Sequence, residues 1–234
     1  MEWTVPSIWG GEQCWIIGAG YSISRQFGIP EAIYPGSSGT FEQYSEYLSP
    51  IHDQKVIGTN AAFLLGNWIT MEIFCDSNFF RFYYRQLAEF PGLVVTDKRD
   101  LSNPPGYADK YKTLKRDMRA GLSKNPDTLC WNENTGTAAI NLALLLGVKR
   151  ILLLGYDMNF EINRRDYVRD RWHKAERTHL YPKPTSVKLL EKWVRKLEVV
   201  AREAEKKFPG VEIVNVNPDS GIPYWKKASL KDVL

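Results

Sequence analysis

At 234 residues the chain has the length of one sizeable domain, at roughly 150 residues per domain. Hydrophobic residues make up 44% of it and charged residues 25%, a balance that excludes disorder, a collagen-like repeat and a coiled coil. Net charge is 31 − 27 = +4, and residues 164–177 alone carry six basic side chains against three acidic ones, so the charge points to one local anionic ligand rather than to a nucleic-acid-binding face.

Residues 14–17 are a short apolar run that ends in Gly18-Ala19-Gly20, the pattern of a buried strand entering a glycine turn. Residues 55–57 lead in the same way to Gly58-Thr59-Asn60, residues 69–75 to Asp76-Ser77-Asn78, and residues 92–96 to Asp97. Asn134-Thr135-Gly136-Thr137 supplies caps for a helix that Gly147 stops. The run Ile151-Leu152-Leu153-Leu154 then reads as a fully buried parallel strand ending at Gly155-Tyr156-Asp157. Pro184, Thr185 and Ser186 open a long amphipathic helix with the stripe Leu190, Trp193, Val194, Leu197, Val200, Ala201 and Ala204, closed by Pro209-Gly210. Residues 211–216 form one more strand.

This alternation predicts an α/β fold, a Rossmann-like, mostly parallel sheet with helices on both faces, in a single domain spanning 1–234 with 163–183 as a basic lid. No apolar run approaches the ~18 residues of a membrane span, and no basic start marks a secretory signal, so the expected address is cytoplasmic. Cys14, Cys75 and Cys130 are too far apart for a CxxC site and odd in number, and read as core or loop thiols.

Ligands of such sheets bind beyond the carboxyl ends of the strands, where Gly18, Gly20, Ser22, Asn60, Asp76 and Asp157 all fall. The Gly18-Ala19-Gly20-Tyr21-Ser22 turn offers backbone N–H groups and a close approach for a phosphate. An ordinary tight turn uses the same residues. Ile23 stands where a dinucleotide fingerprint has its third glycine, which disfavours a nicotinamide cofactor. On this reading a bulky residue at Gly20 blocks the ligand and leaves the fold intact.

Thr135, Gly136 and Thr137 serve equally as a phosphate or ribose site and as plain helix caps. The absence of GxxxxGK[ST] excludes a P-loop enzyme. Asp157 and Asp76 suit a sugar hydroxyl or a divalent ion, and both also suit loop capping. Of the three histidines, His52 reads as a solvated loop residue, while His173 and His179 flank the basic segment, where a general base belongs. No histidine spacing supports zinc. Tyr167, Trp172 and Tyr181 lie among the lid charges, with Arg169 and Arg171 as anion contacts.

In this order these residues resemble the bacterial sialyltransferases that use CMP-linked donors, and the related domain that includes hydroxymethylpterin diphosphokinase and the motility accessory factors. Ile16-Ile17-Gly18-Ala19-Gly20-Tyr21-Ser22-Ile23 looks like the family's opening strand and turn, with Tyr21 where proline is usual. Val56 to Asn60 resembles the second strand with its nucleotide-contacting Asn, and Ile73-Phe74-Cys75-Asp76 the third. Thr135-Gly136-Thr137-Ala138-Ala139 and the segment from Gly147 to Asp157 resemble the most specific block. The resemblance covers about three quarters of the chain and implies a nucleotide-binding Rossmann-like fold whose lid carries the catalytic base, with His179 or Tyr181 in that role here.

Three readings follow. The first is a nucleotide-sugar-dependent glycosyltransferase that needs no cofactor, binds a nucleotide or nucleotide-sugar, and transfers to a small-molecule or glycan acceptor. The second is a diphosphokinase with Mg²⁺ on Asp76 and Asp157. The third is a non-catalytic nucleotide-binding module, to which Trp3, Trp9 and Trp225, expected to be exposed, lend an interaction surface. An oligomer is compatible with all three.

Overall fold

The computed structural model describes residues 3–35, 39–97, 110–159 and 187–234. Strands β1 (Gln13–Ile17), β2 (Val56–Thr59), β3 (Met71–Phe74), β4 (Leu93–Thr96) and β5 (Lys112–Thr113) run outward from the centre of an eight-stranded sheet. Strands β8 (Arg150–Leu154), β9 (Glu212–Asn215) and β10 (Lys226–Lys227) extend it on the other side of β1. The order is β10-β9-β8-β1-β2-β3-β4-β5, and every pair is parallel. Strands β6 (Lys115–Asp117) and β7 (Thr128–Cys130) make a separate parallel pair.

Burial on both sides explains why the central strands read as unbroken apolar runs rather than as alternating ones. Along β1, Cys14 and Ile16 face one cluster with α4 (Thr135–Leu145) and α5 (Val187–Lys207). Trp15 and Ile17 face the other, with Ile23 of α1 (Ser22–Gln26) and Tyr44 of α2 (Phe41–Glu46). Helix α3 (Ser77–Glu89) adds an aromatic cluster in which Phe79, Phe80 and Tyr83 pack on Phe74 and Tyr111. The long helix keeps its expected stripe, with Leu190, Leu197, Val200, Ala201 and Ala204 buried. No helix among the described residues is long and apolar enough to cross a membrane.

Two expectations need correction, while the reading of the cysteines as core thiols holds. His52 is not a free loop residue: its ring stacks on Trp68 at 4.3 Å between centroids, Nε2 lies 3.0 Å from the Ser45 carbonyl oxygen, and partial burial lowers its pKa. Trp9 is 4% exposed and belongs to the core, and Trp3 and Trp225 are half-buried against it. All three cysteines are buried thiols, and burial pushes Cys14 up to about 12 and Cys130 to about 11.

Candidate functional site

The strand order reverses between β1 and β8, since the chain proceeds from β1 toward β5 on one side and from β8 toward β10 on the other. Parallel sheets open a crevice at such a reversal, beyond the carboxyl ends of the two strands. Here its walls are Gly18-Ala19-Gly20 after β1 and Gly155-Tyr156-Asp157 after β8. The register Ile17↔Leu154 and Ile17↔Gly58 also brings Asn60, at the end of β2, beside the glycine turn.

The two corners are locked together by the protein's own groups. Gly18 N donates to Leu154 O (2.8 Å), Gly20 N to Gly155 O (3.0 Å) and Ser22 N to Asp157 Oδ2 (2.9 Å). Three N–H groups expected to cradle a phosphate are therefore used internally. Asp157 Oδ1 also accepts from Asn217 Nδ2 at 3.0 Å. Burial raises the Asp157 pKa, while Ser22 and Asn217 pull it back by hydrogen-bonding the carboxylate. Asp157 thus ties α1 and the loop after β9 to β8.

Glycine is required on both walls for packing. A Cβ on Gly20 would stand 2.5 Å from Asp157 Cγ and 2.6 Å from Gly155 O, and one on Gly18 2.8 Å from Gly155 O. A Cβ on Gly136 would meet the Tyr156 hydroxyl at 2.9 Å, and that hydroxyl donates to Gly136 O at 3.0 Å. The expectation that a bulky Gly20 variant spares the fold is corrected by these contacts.

At the start of α4 Asn134 is the cap. Asn134 Oδ1 accepts from Gly136 N (2.8 Å) and Thr137 N (3.4 Å), and the Thr137 hydroxyl lies in donor contact with Asn134 O (2.7 Å) and Trp131 O (3.1 Å). Asp76 likewise caps α3, with Oδ1 accepting from Asn78 N (2.6 Å) and Phe79 N (3.3 Å). Asn60 differs from these groups. It holds φ 56°, a left-handed conformation that Asn tolerates better than most residues, and its buried Oδ1 has no hydrogen-bond partner among the described residues.

Asp76 and Asp157 follow β3 and β8, which are three strand positions apart. At ~4.8 Å per strand this is about 14 Å, whereas two ligands of one Mg²⁺ each lie at about 2.0–2.1 Å from it. The two carboxylates therefore follow strands that are not neighbours in the sheet. Among the described residues no group of three or more His, Cys, Asp or Glu side chains is placed to hold a metal.

A second constellation escaped the sequence reading. Asp97, fully buried after β4, receives Arg116 in a two-pronged pair at 2.9 and 2.7 Å, and Arg116 Nη2 also donates to Cys75 O at 2.9 Å. The guanidinium lies over the Trp131 ring at 4.1 Å. Asn132 and Glu133 follow with φ 52° and 58°, two successive strained positions of the kind that persist only when surrounding bonds over-determine them. Asn132 is held by both amide atoms to Gly121 (2.7 and 2.9 Å), and Glu133 by Trp193 Nε1 (3.1 Å) and Lys192 of α5. The dipeptide Asp97-Lys98 and the isolated Arg116 carry no spacing that predicts this pairing.

His173, His179, Tyr181, Arg169 and Arg171, with the whole lid 163–183, lie outside the described residues.

No protein-family model matches the chain, and no curated protein matches its sequence. Among solved structures, the sialyltransferase CstII from Campylobacter jejuni in complex with a substrate analogue, cytidine-5'-monophosphate (CMP), aligns at TM-score 0.51 and 14% identity, covering 94% of this chain and 86% of that one. The fold is that of CstII. A point variant of CstII in complex with CMP aligns at TM-score 0.52 and 14% identity, with coverages of 93% and 86%.

Proposed function

We propose that the chain is a glycosyltransferase acting on a nucleotide-activated sugar, in the manner of the sialyltransferases that use CMP-linked donors. The observation that carries this reading is the crevice between β1 and β8, with glycine corners and Asn60 on its rim, in a fold shared with CstII over nearly the whole chain. Asn60, with a buried oxygen awaiting a donor, orients the nucleotide. Gly18, Gly20 and Ser22 shape the wall rather than supply its N–H groups, and Thr135, Gly136, Thr137 and Asp76 border the ligand at the starts of α4 and α3.

In the reaction the acceptor hydroxyl oxygen bonds to the anomeric carbon as the bond from that carbon to the phosphate oxygen breaks. The electron pair leaves with the nucleoside monophosphate. His179 or Tyr181 takes the hydroxyl proton, and Arg169 and Arg171 offset the charge that develops on the leaving phosphate. The scheme needs no metal or other cofactor.

The test incubates the protein with CMP-, UDP- and GDP-sugars and a panel of glycan acceptors, and follows released nucleotide by chromatography. Release of CMP that depends on the acceptor supports the reading. His179→Ala or Tyr181→Phe should then lower turnover by ~10²-fold while CMP binding holds. If CMP binds and no donor and acceptor pair turns over, the chain is a binding module.

A further inference from the structure

Five backbone N–H groups at the crevice are already taken by the protein itself. Gly18 N, Gly20 N and Ser22 N are taken by the β8 corner, and Gly136 N and Thr137 N by Asn134. Arg25, whose charge reaches Asp157, is itself paired with Asp219. An anion bound there cannot use these five N–H groups, and side-chain donors on the rim become available to it.

Tyr21 is the half-exposed residue next to Gly20, and it ends a row of hydroxyls that leads into the core. Its ring meets Tyr34 edge-on at 5.9 Å, and Tyr34 meets Tyr44 the same way at 6.1 Å. Tyr34 and Tyr44 are 6% and 0% exposed. Ser24 Oγ lies 2.9 Å from the Tyr44 hydroxyl, and the Tyr34 hydroxyl contacts both Ser24 and Tyr21. Asp157 is close enough to Tyr44 to add to the rise in its pKa that burial causes, which places the row beside the β8 wall.

Three contacts use three of the four hydroxyl protons in the row. The fourth is cheapest at the wet end, because an unmatched donor in the core costs free energy that water removes at the rim. Such rows also polarise their members cooperatively.

We propose that the Tyr21 hydroxyl donates to the phosphate of the nucleotide held in this crevice, and that Tyr34, Ser24 and Tyr44 position it. The ligand chemistry is a phosphate monoester or diester dianion or monoanion at the end of a nucleoside. The proposal rests on the nucleotide reading above. Tyr34 is a positioning residue, since it reaches the ligand only through Tyr21.

The test is isothermal titration of the wild-type chain, Tyr21→Phe and Tyr34→Phe with CMP, cytidine and inorganic phosphate. Phenylalanine keeps the ring contacts, and circular dichroism checks that each variant is folded. A hydrogen bond to a charged group is worth about tenfold to a hundredfold in affinity, so Tyr21→Phe should weaken CMP by at least about tenfold and leave cytidine unchanged. Tyr34→Phe should shift the same CMP-to-cytidine ratio by less. Equal losses for CMP and cytidine, or no loss for either, overturn the assignment while the nucleotide reading stands. Wild-type protein that binds phosphate as tightly as CMP, and loses it in Tyr21→Phe, supports the contact and overturns the nucleotide reading. No binding of any of the three overturns both.

Discussion

The joint between the first and eighth strands can be tested by adding one methyl group. In Gly20→Ala the new Cβ would sit 2.5 Å from Asp157 Cγ and Oδ2 and 2.6 Å from Gly155 O, closer than real carbon contacts allow. The carbonyl oxygen belongs to the backbone and the carboxyl is pinned by Ser22 N and Asn217 Nδ2, so neither can retreat alone. Overpacking costs about 1–3 kcal/mol. Loss of one of the two bonds to the buried carboxylate adds about 1.5–3 kcal/mol. The sum, about 2.5–6 kcal/mol, is a large share of the 5–15 kcal/mol that holds a typical fold. At about 2–4 °C per kcal/mol for a chain of this size, the melting midpoint should fall by about 5–24 °C. Thermal unfolding followed by circular dichroism reads this directly. Gly10→Ala, with nothing within 4 Å and an ordinary φ, is the matched control and should melt with the wild type. In an Asp157→Ala background the Gly20→Ala penalty should shrink, because the carboxyl it strikes is gone. A midpoint within about 2 °C of wild type for Gly20→Ala alone would refute the interlocked corner.

Other expectations rest on the buried ion pair, the helix caps and the carboxylates. Arg116→Met leaves Asp97 buried without its cation, a loss of about 3–5 kcal/mol. Burial already raises the Asp97 pKa against the pull of Arg116, and removing Arg116 raises it further. A carboxyl whose folded pKa lies above its unfolded one favours the folded state most below the unfolded value, and this advantage is lost as pH rises through the folded value. Urea unfolding of Arg116→Met should therefore approach wild type near pH 4 and diverge toward pH 7. Asn134→Ala frees Gly136 N and Thr137 N and should cost about 1 kcal/mol by the same assay, with α4 otherwise intact. Glycosyl transfer should survive EDTA, since the strands that Asp76 and Asp157 follow lie about 14 Å apart; complete loss restored by Mg²⁺ would contradict the scheme.

The fold was legible because its signals are local. A buried parallel strand needs a short apolar run with no polar face, and the segments ending at Gly18, Asn60, Asp76 and Gly155 show it. The site was legible only in position. Gly18, Gly20 and Asp157 do meet at one crevice, but sequence does not show whether a glycine yields to a ligand or to the protein's own carboxylate. Here Gly20 yields to Asp157. Capping residues carry the same ambiguity, because Asn134 and Asp76 are ordinary caps and ordinary ligands alike. The Arg116–Asp97 pair had no local signal at all, since its partners come from separate strands and meet only after the sheet is laid down.

The sheet also ends abruptly on both sides. Among the described residues its outer members, Lys112–Thr113 and Lys226–Lys227, are two residues long. An edge this short exposes too little unpaired backbone to template an incoming strand, and ammonium groups along it repel a second copy. Among the described residues, edge-to-edge association, whether into a continuous sheet between subunits or into a fibril, finds little backbone to pair with at either margin.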